Sequence, residues 1–570
     1  KMSAAKAFFQ GYKRIPSERG DAPSSGDNSF KRCYRIRFFK SRWALLVLLW
    51  YLFIYLSTIG GSALHNQMSH ESVIDSTNSQ LLYSGCTAFT GVLCPVFGYL
   101  ADAHFGRYKV MVILSIAVTV GELFGCAQLV LYSLHHYVSN PMIALFLILP
   151  CYILLRLAMD TAGSFVIIFG MDQLKDASSD ELSSYIFWCV WVEMFAAAIV
   201  NVAYIPLLHS KIYIPVIVAL SSVMAAILWC FLCLNHRYAS RRYNREPLAG
   251  VSASYGQALQ VLKFAVQHKY PLQRSAMTYC EDEEISRIDL GKSRYGGPFT
   301  TEQVEDVKTL LWALLIIGIS CMASLSLQVQ FDKFVTTQFR QHMNWTTVVP
   351  EMTVPYTVTG AVTIIVHELV LFPLARRWFP SILKRLGICL LLSIVTPCSQ
   401  LLIDSMAGHH ANSSVCMFQT VNASTTYQTS TGDNETAAVV SQYSEVLPTI
   451  FSMVVYTLFH CTLLELIIAQ SPERFKSIVV GLMYTVIGFR YLVFDAFAFP
   501  FAHLYASVLP QQAVGDFSCD NIFYLALIAT SLVGLLLYCV ASRKYTYRRR
   551  DDVIINENMY AEEYYSQESL

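Results

Sequence analysis

Charge is what this sequence has little of. Only 14% of its 570 residues are Asp, Glu, Lys or Arg, while 54% are apolar; a soluble chain carries about 25% charged residues. A wholly soluble fold is excluded on that balance. Positive and negative residues nearly cancel, to a net charge of +1, which excludes a globally basic nucleic-acid binder and leaves no nucleic-acid partner to expect. The segment Trp43 to Leu64 has no charged residue, and the stretches 65–80, 405–447 and 503–520 hold no lysine or arginine. No phosphate loop, zinc-ligand spacing or nucleophile with a base is visible, so enzymatic chemistry, a metal and an organic cofactor are not expected. Cysteine is not scarce, at 16. Most, such as Cys94, Cys126, Cys151, Cys189 and Cys389, lie inside apolar runs and read as small core hydrophobes, as do Cys230 and Cys233 near the end of one run.

What is present is a series of long apolar runs. A helix needs about 20 apolar residues to cross the hydrocarbon core, and twelve segments qualify: 43–64, 81–101, 109–134, 142–168, 184–208, 212–234, 308–331, 354–375, 384–404, 448–470, 477–502 and 521–542. Six precede and six follow one long polar stretch, 236–306. The pattern predicts an all-α membrane protein of the major facilitator fold, with twelve transmembrane helices in two six-helix bundles that enclose a central path. The corresponding divisions are a basic tail at 1–42, an N-terminal bundle at 43–235, a linker at 236–306, a C-terminal bundle at 307–542 and a tail at 543–570.

Lysine and arginine bias sets the orientation. Lys31, Arg32, Arg35, Arg37, Lys40 and Arg42 precede the first span, and Arg107, Lys109, Lys175, Arg376, Arg377, Lys384, Arg385, Arg474 and Lys476 fall in alternate turns. Both termini are therefore expected in the cytoplasm. The N-x-S/T sequons at Asn344, Asn412, Asn422 and Asn434 all fall in loops that this rule places outside, where glycosylation occurs. Cys416 and Cys519 lie in the outer segments too and are a candidate disulfide. No cleavable signal peptide is expected, because the first forty residues are polar and basic. In the linker, an amphipathic helix is predicted near Tyr255 to His268, followed by the acidic cluster Glu281–Glu284; a surface linker and a regulatory segment both fit. Arg548 to Arg550 suit a juxtamembrane anchor to anionic lipid.

Four motifs carry a resemblance. Gly98-Tyr-Leu-Ala-Asp102-Ala-His-Phe-Gly106-Arg107-Tyr-Lys109 places one acid and two bases in a short turn. Phe169-Gly-Met-Asp-Gln-Leu174 follows the fourth span, and Tyr295-Gly-Gly-Pro-Phe with Val304-Glu-Asp-Val-Lys308 leads into the seventh. Leu464-Glu465 with Ala469-Gln-Ser-Pro-Glu-Arg-Phe-Lys-Ser477 closes the tenth. Together, and in this order, they resemble the proton-dependent oligopeptide transporter family, most nearly its peptide/histidine branch. The resemblance implies alternating access, a gating role for Asp102, Gly106 and Arg107, and an inner-gate or structural role for Glu465.

The same comparison shows where this chain departs. The family's first-span E-x-x-E-R has no counterpart in Trp43 to Leu64. Its fourth-span lysine falls on Gly163, its tenth-span glutamate on Tyr456, and its fifth-span asparagine on Glu193. Other charges lie inside spans: Glu122, Arg156, Asp160, His367, Glu368, Arg490 and Asp495. An ion at the bilayer centre costs about 2.5–3.5 kcal/mol even on the lenient insertion scale, so each is expected to face the interior. Arg156 and Asp160, four residues apart, can pair on one helix face, as a structural bridge or as part of a solute clamp. Glu193, Arg156, Asp160, Tyr456 and Glu122 are the candidate solute- or proton-binding residues.

Two functions follow. One is secondary transport of small peptides, or of amino acids such as histidine, with protons as a coupling ion carried by non-standard carboxylates. The other is a transport-poor scaffold or sensor that keeps the fold and meets a cytosolic adaptor through its tails. Tyr12-Lys-Arg-Ile15 resembles an endosomal sorting signal, so plasma membrane and endolysosomal membrane both stay open.

Overall fold

The computed structural model describes residues 41–58, 76–135, 141–174, 177–204, 213–238, 243, 251–267, 286–330, 350–375, 378–408, 446–501 and 519–545. The sequons, Cys416, the acidic cluster 281–284 and both tails lie outside that set. The N-terminal bundle comprises α1 (Arg42–Leu56), α2 (Ser76–Leu100), α3 (Arg107–His135), α4 (Pro141–Met171), α5 (Ser179–Tyr204) and α6 (Tyr213–Tyr238). After α7 (Val251–Gln267) come α8 (Thr301–Ala323), α9 (Pro350–Val366), α10 (Ile382–Ser393), α11 (Val395–Gly408), α12 (Val446–Gln470), α13 (Lys476–Phe499) and α14 (Cys519–Lys544). Beyond Val366 the chain runs through a π-helical turn, His367–Leu371, and one more helical turn to Ala375. Helices α10 and α11 meet at Ile394 and act as one span. Eleven helical segments among the described residues are long and apolar enough to cross a membrane, and α1 is a shorter apolar helix.

Helix is the structure these runs must take, because in hydrocarbon each backbone N–H and C=O needs a partner within the segment. The outward faces stay apolar. Leu532, Val533, Leu536, Leu537 and Val540 of α14 and Val223, Trp229 and Leu234 of α6 are exposed in the isolated protein. Cys230 and Cys233 are exposed on α6 as well, so they are not the packing residues that their apolar setting suggested. On the inward faces, buried aromatics carry their polar tips to partners on other helices. Trp50 of α1 donates to Ser115 of α3 at 2.9 Å, Tyr185 of α5 to the Val166 carbonyl of α4 at 3.0 Å, and Tyr538 of α14 to the Leu383 carbonyl of α10 at 2.8 Å.

Helix α7 marks one end of the molecule, the linker side. Its Ala258, Val261 and Ala265 are buried, while Leu259 and Val266 are exposed. Tyr255 meets Tyr99, at the end of α2, and Phe475, before α13, edge-on at 5.1 and 4.9 Å, and donates to the Arg474 carbonyl at 3.2 Å. One amphipathic helix thus touches turns of both bundles. The chain then enters α8 through an ion-pair cluster. Lys292 bonds Asp289 at 2.6 Å and also Glu305, and Lys308 meets Asp289 at 2.8 Å. Burial works against ionising Asp289, but hydrogen bonds from Lys292, Lys308 and Ser286 outweigh it and hold this carboxyl below its ordinary range. Lys292 shifts upward: burial opposes its charge, and the bonds to Asp289 and Glu305 more than compensate. Thr300 then starts α8 with a reciprocal capping box to Gln303.

Candidate functional site

The two bundles meet along two seams, α2 with α13 and α5 with α9. The first is a contact of backbones. A Cβ added at Gly98 would lie 2.9 Å from the Ser477 carbonyl oxygen, one at Gly481 would lie 2.7 Å from the Pro95 nitrogen, and one at Gly488 2.7 Å from the Thr87 carbonyl oxygen. At Gly91 the same atom would meet Thr485 at 3.2 Å, and the Thr485 hydroxyl donates to the Gly91 carbonyl at 2.7 Å. Only hydrogen fits. The second seam uses side chains: Phe187 of α5 stacks on His367 at 4.4 Å with planes 2° apart. The His367 Nδ1 lies 3.0 Å from Glu368.

At the linker-side end of these seams lies the turn that holds Asp102, Gly106 and Arg107. Asp102 lies in a π-helical turn, Ala101–Phe105, and Gly106 takes φ of +80°, a conformation that glycine adopts without strain, before α3 begins at Arg107. Arg107 binds Asp102 through Nε at 2.8 Å and Asp172, just past α4, through Nη1 at 2.7 Å. Ser477, at the start of α13, donates to Asp102 at 2.8 Å. The acid therefore joins both bundles. Glu465 makes a second such junction: it accepts from Ser183 of α5 at 2.8 Å and pairs with Arg385 of α10 at 3.1 Å.

Farther from the linker side lies a layer of charged and aromatic residues. Glu193 is fourteen residues into α5, Tyr456 fourteen before the end of α12, and Arg490 fourteen after the start of α13. At 1.5 Å per residue each stands about 21 Å from the linker-side end of its helix. Arg156 pairs with Asp160 within α4 at 3.1 Å, and Asp160 also accepts from Thr90 of α2 at 3.1 Å. Glu193 interacts with the Tyr51 hydroxyl of α1 and lies in the field of Asp160 and Arg156. Tyr456 lies within electrostatic reach of Arg490, Glu193 and Arg156. His460 is stacked parallel to Tyr456, with ring centres 5.9 Å apart.

Two tyrosines flank Gly163, where the resemblance would expect a lysine. A Cβ at Gly163 would come within 3.0 Å of both the Tyr51 and the Tyr484 hydroxyls, so α1 and α13 place neutral hydroxyls against the point from which a long cation would have to project. Glu122 does not join this layer. It is fully buried between α3 and α6, where Ser221 donates to it at 2.5 Å and Cys126 contacts Ser221. Cys519 opens α14, but its candidate partner Cys416 lies outside the described residues, as do Asn344, Asn412, Asn422 and Asn434. Sequence reasoning gave Arg490, Tyr51 and Tyr484 no role at the site. An arginine inside an apolar span was the available signal for the first, whereas nothing distinguishes Tyr51 and Tyr484 from ordinary packing aromatics.

No family model and no curated protein matches the chain. Solved structures do match in fold. The chain is similar to the transporter PepTSo of the POT family, at 14% identity over 89% of this chain and 99% of that one, with a TM-score of 0.59. It is similar to a POT family transporter in complex with 5-aminolevulinic acid, at 12% identity over 90% and 99%, with a TM-score of 0.56. A bacterial homologue of the iron transporter ferroportin, in an outward-facing state, matches at 13% identity over 88% and 100%, with a TM-score of 0.51. Across nearly its whole length the chain has the fold of these major facilitator transporters.

Proposed function

We propose that this protein is a secondary transporter of the oligopeptide-transporter type that moves small peptides, or amino acids such as histidine, by alternating access with protons as the coupling ion. The observation that carries this reading is the position of the charged layer. Glu193, Asp160, Arg156 and Arg490 sit near the junction of the two bundles, beyond the linker-side contacts that close Gly98 on Ser477 and Gly481 on Pro95. A solute held there would have one sealed side and would change sides when the seams part. With the linker side taken as cytoplasmic, this is a conformation closed to the cytoplasm. The solute class is supported by the pairing of acidic and basic groups, which suits an amphoteric molecule, and by analogy with the POT family transporter that holds 5-aminolevulinic acid.

In this scheme Glu193 carries the proton. It stands in the charged layer without a salt bridge among the described residues, whereas Asp160 is held by Arg156 and Thr90. Purified protein in liposomes should take up labelled dialanine or histidine, and an inward proton gradient should raise uptake above the level reached at equal pH. Absence of uptake of both solutes under both conditions would overturn the reading in favour of a scaffold.

A further inference from the structure

Arg490 is the charge that this scheme leaves without a task. The residue is 3% exposed, none of its three guanidinium nitrogens is within hydrogen-bonding geometry of a partner among the described residues, and the neutral Tyr456 is the polar side chain that interacts with it. The carbon of the guanidinium lies 5.5 Å from the ring centre of Tyr456 and 5.7 Å from that of Tyr491. Its electrostatic surroundings extend to Cys321 of α8 and Tyr356 of α9. These are tyrosines and a thiol, none of them an anion in its ordinary state. Asp495, five residues along the same helix, is turned by about 140° around the axis from it. Tyrosine faces offer a cation partial compensation. They do not use its five N–H donors, whose planar fork matches a carboxylate.

We propose that Arg490 anchors the carboxylate of the transported solute, so that an amphoteric solute lies with its acid end in the C-terminal bundle and its amine toward Glu193 and Asp160 in the N-terminal bundle. The proposal rests on the transport reading for the solute's class, but the anion site itself stands on the geometry of α13. Arg490 is two residues beyond Gly488, the last glycine of the backbone seam, and so lies at the level just past that contact, turned about 200° from the α2 face toward Cys321 of α8, Tyr356 of α9 and Tyr456 of α12. The family pattern places its charges elsewhere, in a first-span E-x-x-E-R and a tenth-span glutamate. Here the first span carries no charge from Trp43 to Leu64, and Tyr456 occupies the glutamate's place with its ring against the guanidinium.

The test is ligand protection of full-length protein in nanodiscs, read as the shift in thermal unfolding midpoint at constant ionic strength. The probes are dialanine, dialanine amide, N-acetylalanine and chloride. Wild-type protein should bind dialanine and N-acetylalanine at least about tenfold more tightly than the amide, the size of one charge-assisted bond. That preference should vanish in Arg490→Gln and persist, weakened, in Arg490→Lys. Equal binding of acid and amide by the wild type overturns the anchor without any variant having to fold, and so does an acid preference retained in Arg490→Gln. Protection by chloride equal to that by N-acetylalanine assigns the site to inorganic anions and overturns the carboxylate. If N-acetylalanine protects through Arg490 while dialanine does not bind and neither dialanine nor histidine is taken up in liposomes, the anchor stands and the peptide reading falls. If dialanine is taken up but no carboxylate protects through Arg490, the transport reading stands and the anchor falls.

Discussion

Glu193 and Asp160 show how two carboxylates in one layer come to differ. Asp160 has an arginine one turn away and a threonine hydroxyl from α2, whereas Glu193 has a tyrosine hydroxyl and shares the arginine's field only at a distance. Glu193→Gln keeps the shape and a polar end for Tyr51 but cannot release a proton. Gradient-driven accumulation should fall to the level of equilibration, while exchange at equal pH should stay within about threefold of wild type; side-by-side liposome assays check both. Accumulation with an unchanged pH dependence would remove the proton from this residue. The candidates were legible as charges out of place in apolar segments, because desolvation makes any such charge conspicuous. What they touch was not. The pairing of Arg156 with Asp160 follows from helix spacing, but the isolation of Arg490 depends on α8, α9 and α12, which no local pattern links to α13.

At the scale of the element, the spans were readable because a membrane helix needs only length and an apolar surface, and both are written contiguously in the chain. The π-helical turns at Ala101–Phe105 and His367–Leu371 left no comparable mark, since one extra residue per turn does not change composition. The α2–α13 seam was illegible for another reason: its glycines lie in two helices nearly 400 residues apart and resemble any others. Gly98→Val should disfavour the closed seam by about 1–3 kcal/mol, the usual cost of overpacking. Hydrogen exchange at the linker-side end of α13 should rise accordingly, by about 5- to 150-fold, with little change in α8 or α14. The linker cluster should respond differently to pH. The depressed carboxyl of Asp289 stabilises the attachment above about pH 4, the ordinary unfolded value, and loses that contribution as pH falls through its lower folded value. Lys292, shifted upward, contributes below about pH 10.4 and loses its contribution only at higher pH. Between pH 5 and pH 8, proteolysis of the segment before α8 should therefore be independent of the charge state of this cluster. Asp289→Asn should increase it throughout that range.

For the whole molecule, the turn at Asp102 is one of the places where the two bundles are tied together. Asp102 is bound by Arg107 within its own bundle and by Ser477 from the other. Asp102→Asn weakens both contacts, but Arg107 keeps Asp172, so the N-terminal bundle should fold and reach the membrane. Solute exchange should fall by about tenfold, as expected for the loss of one charge-assisted bond, with surface expression unchanged. Normal exchange would show that the turn is only a structural link. The Glu465 junction, joined to Ser183 and Arg385, would then be a further polar tie between the bundles at that end.

The glycine seam also has a consequence for inherited variation. At Gly91, Gly98, Gly481 and Gly488, every missense change adds atoms to the same contact, and the neighbouring atoms are mostly main chain, which cannot rotate aside. Substitutions elsewhere in a protein scatter between tighter and looser packing. These four codons have one direction open to them: each new allele pushes the bundles apart on the linker side. Independent lineages that relax selection at the seam should therefore drift toward the same leaky phenotype, and because the opposing atoms are main chain, a shorter side chain across the seam should not suppress it, whereas reversion to glycine should.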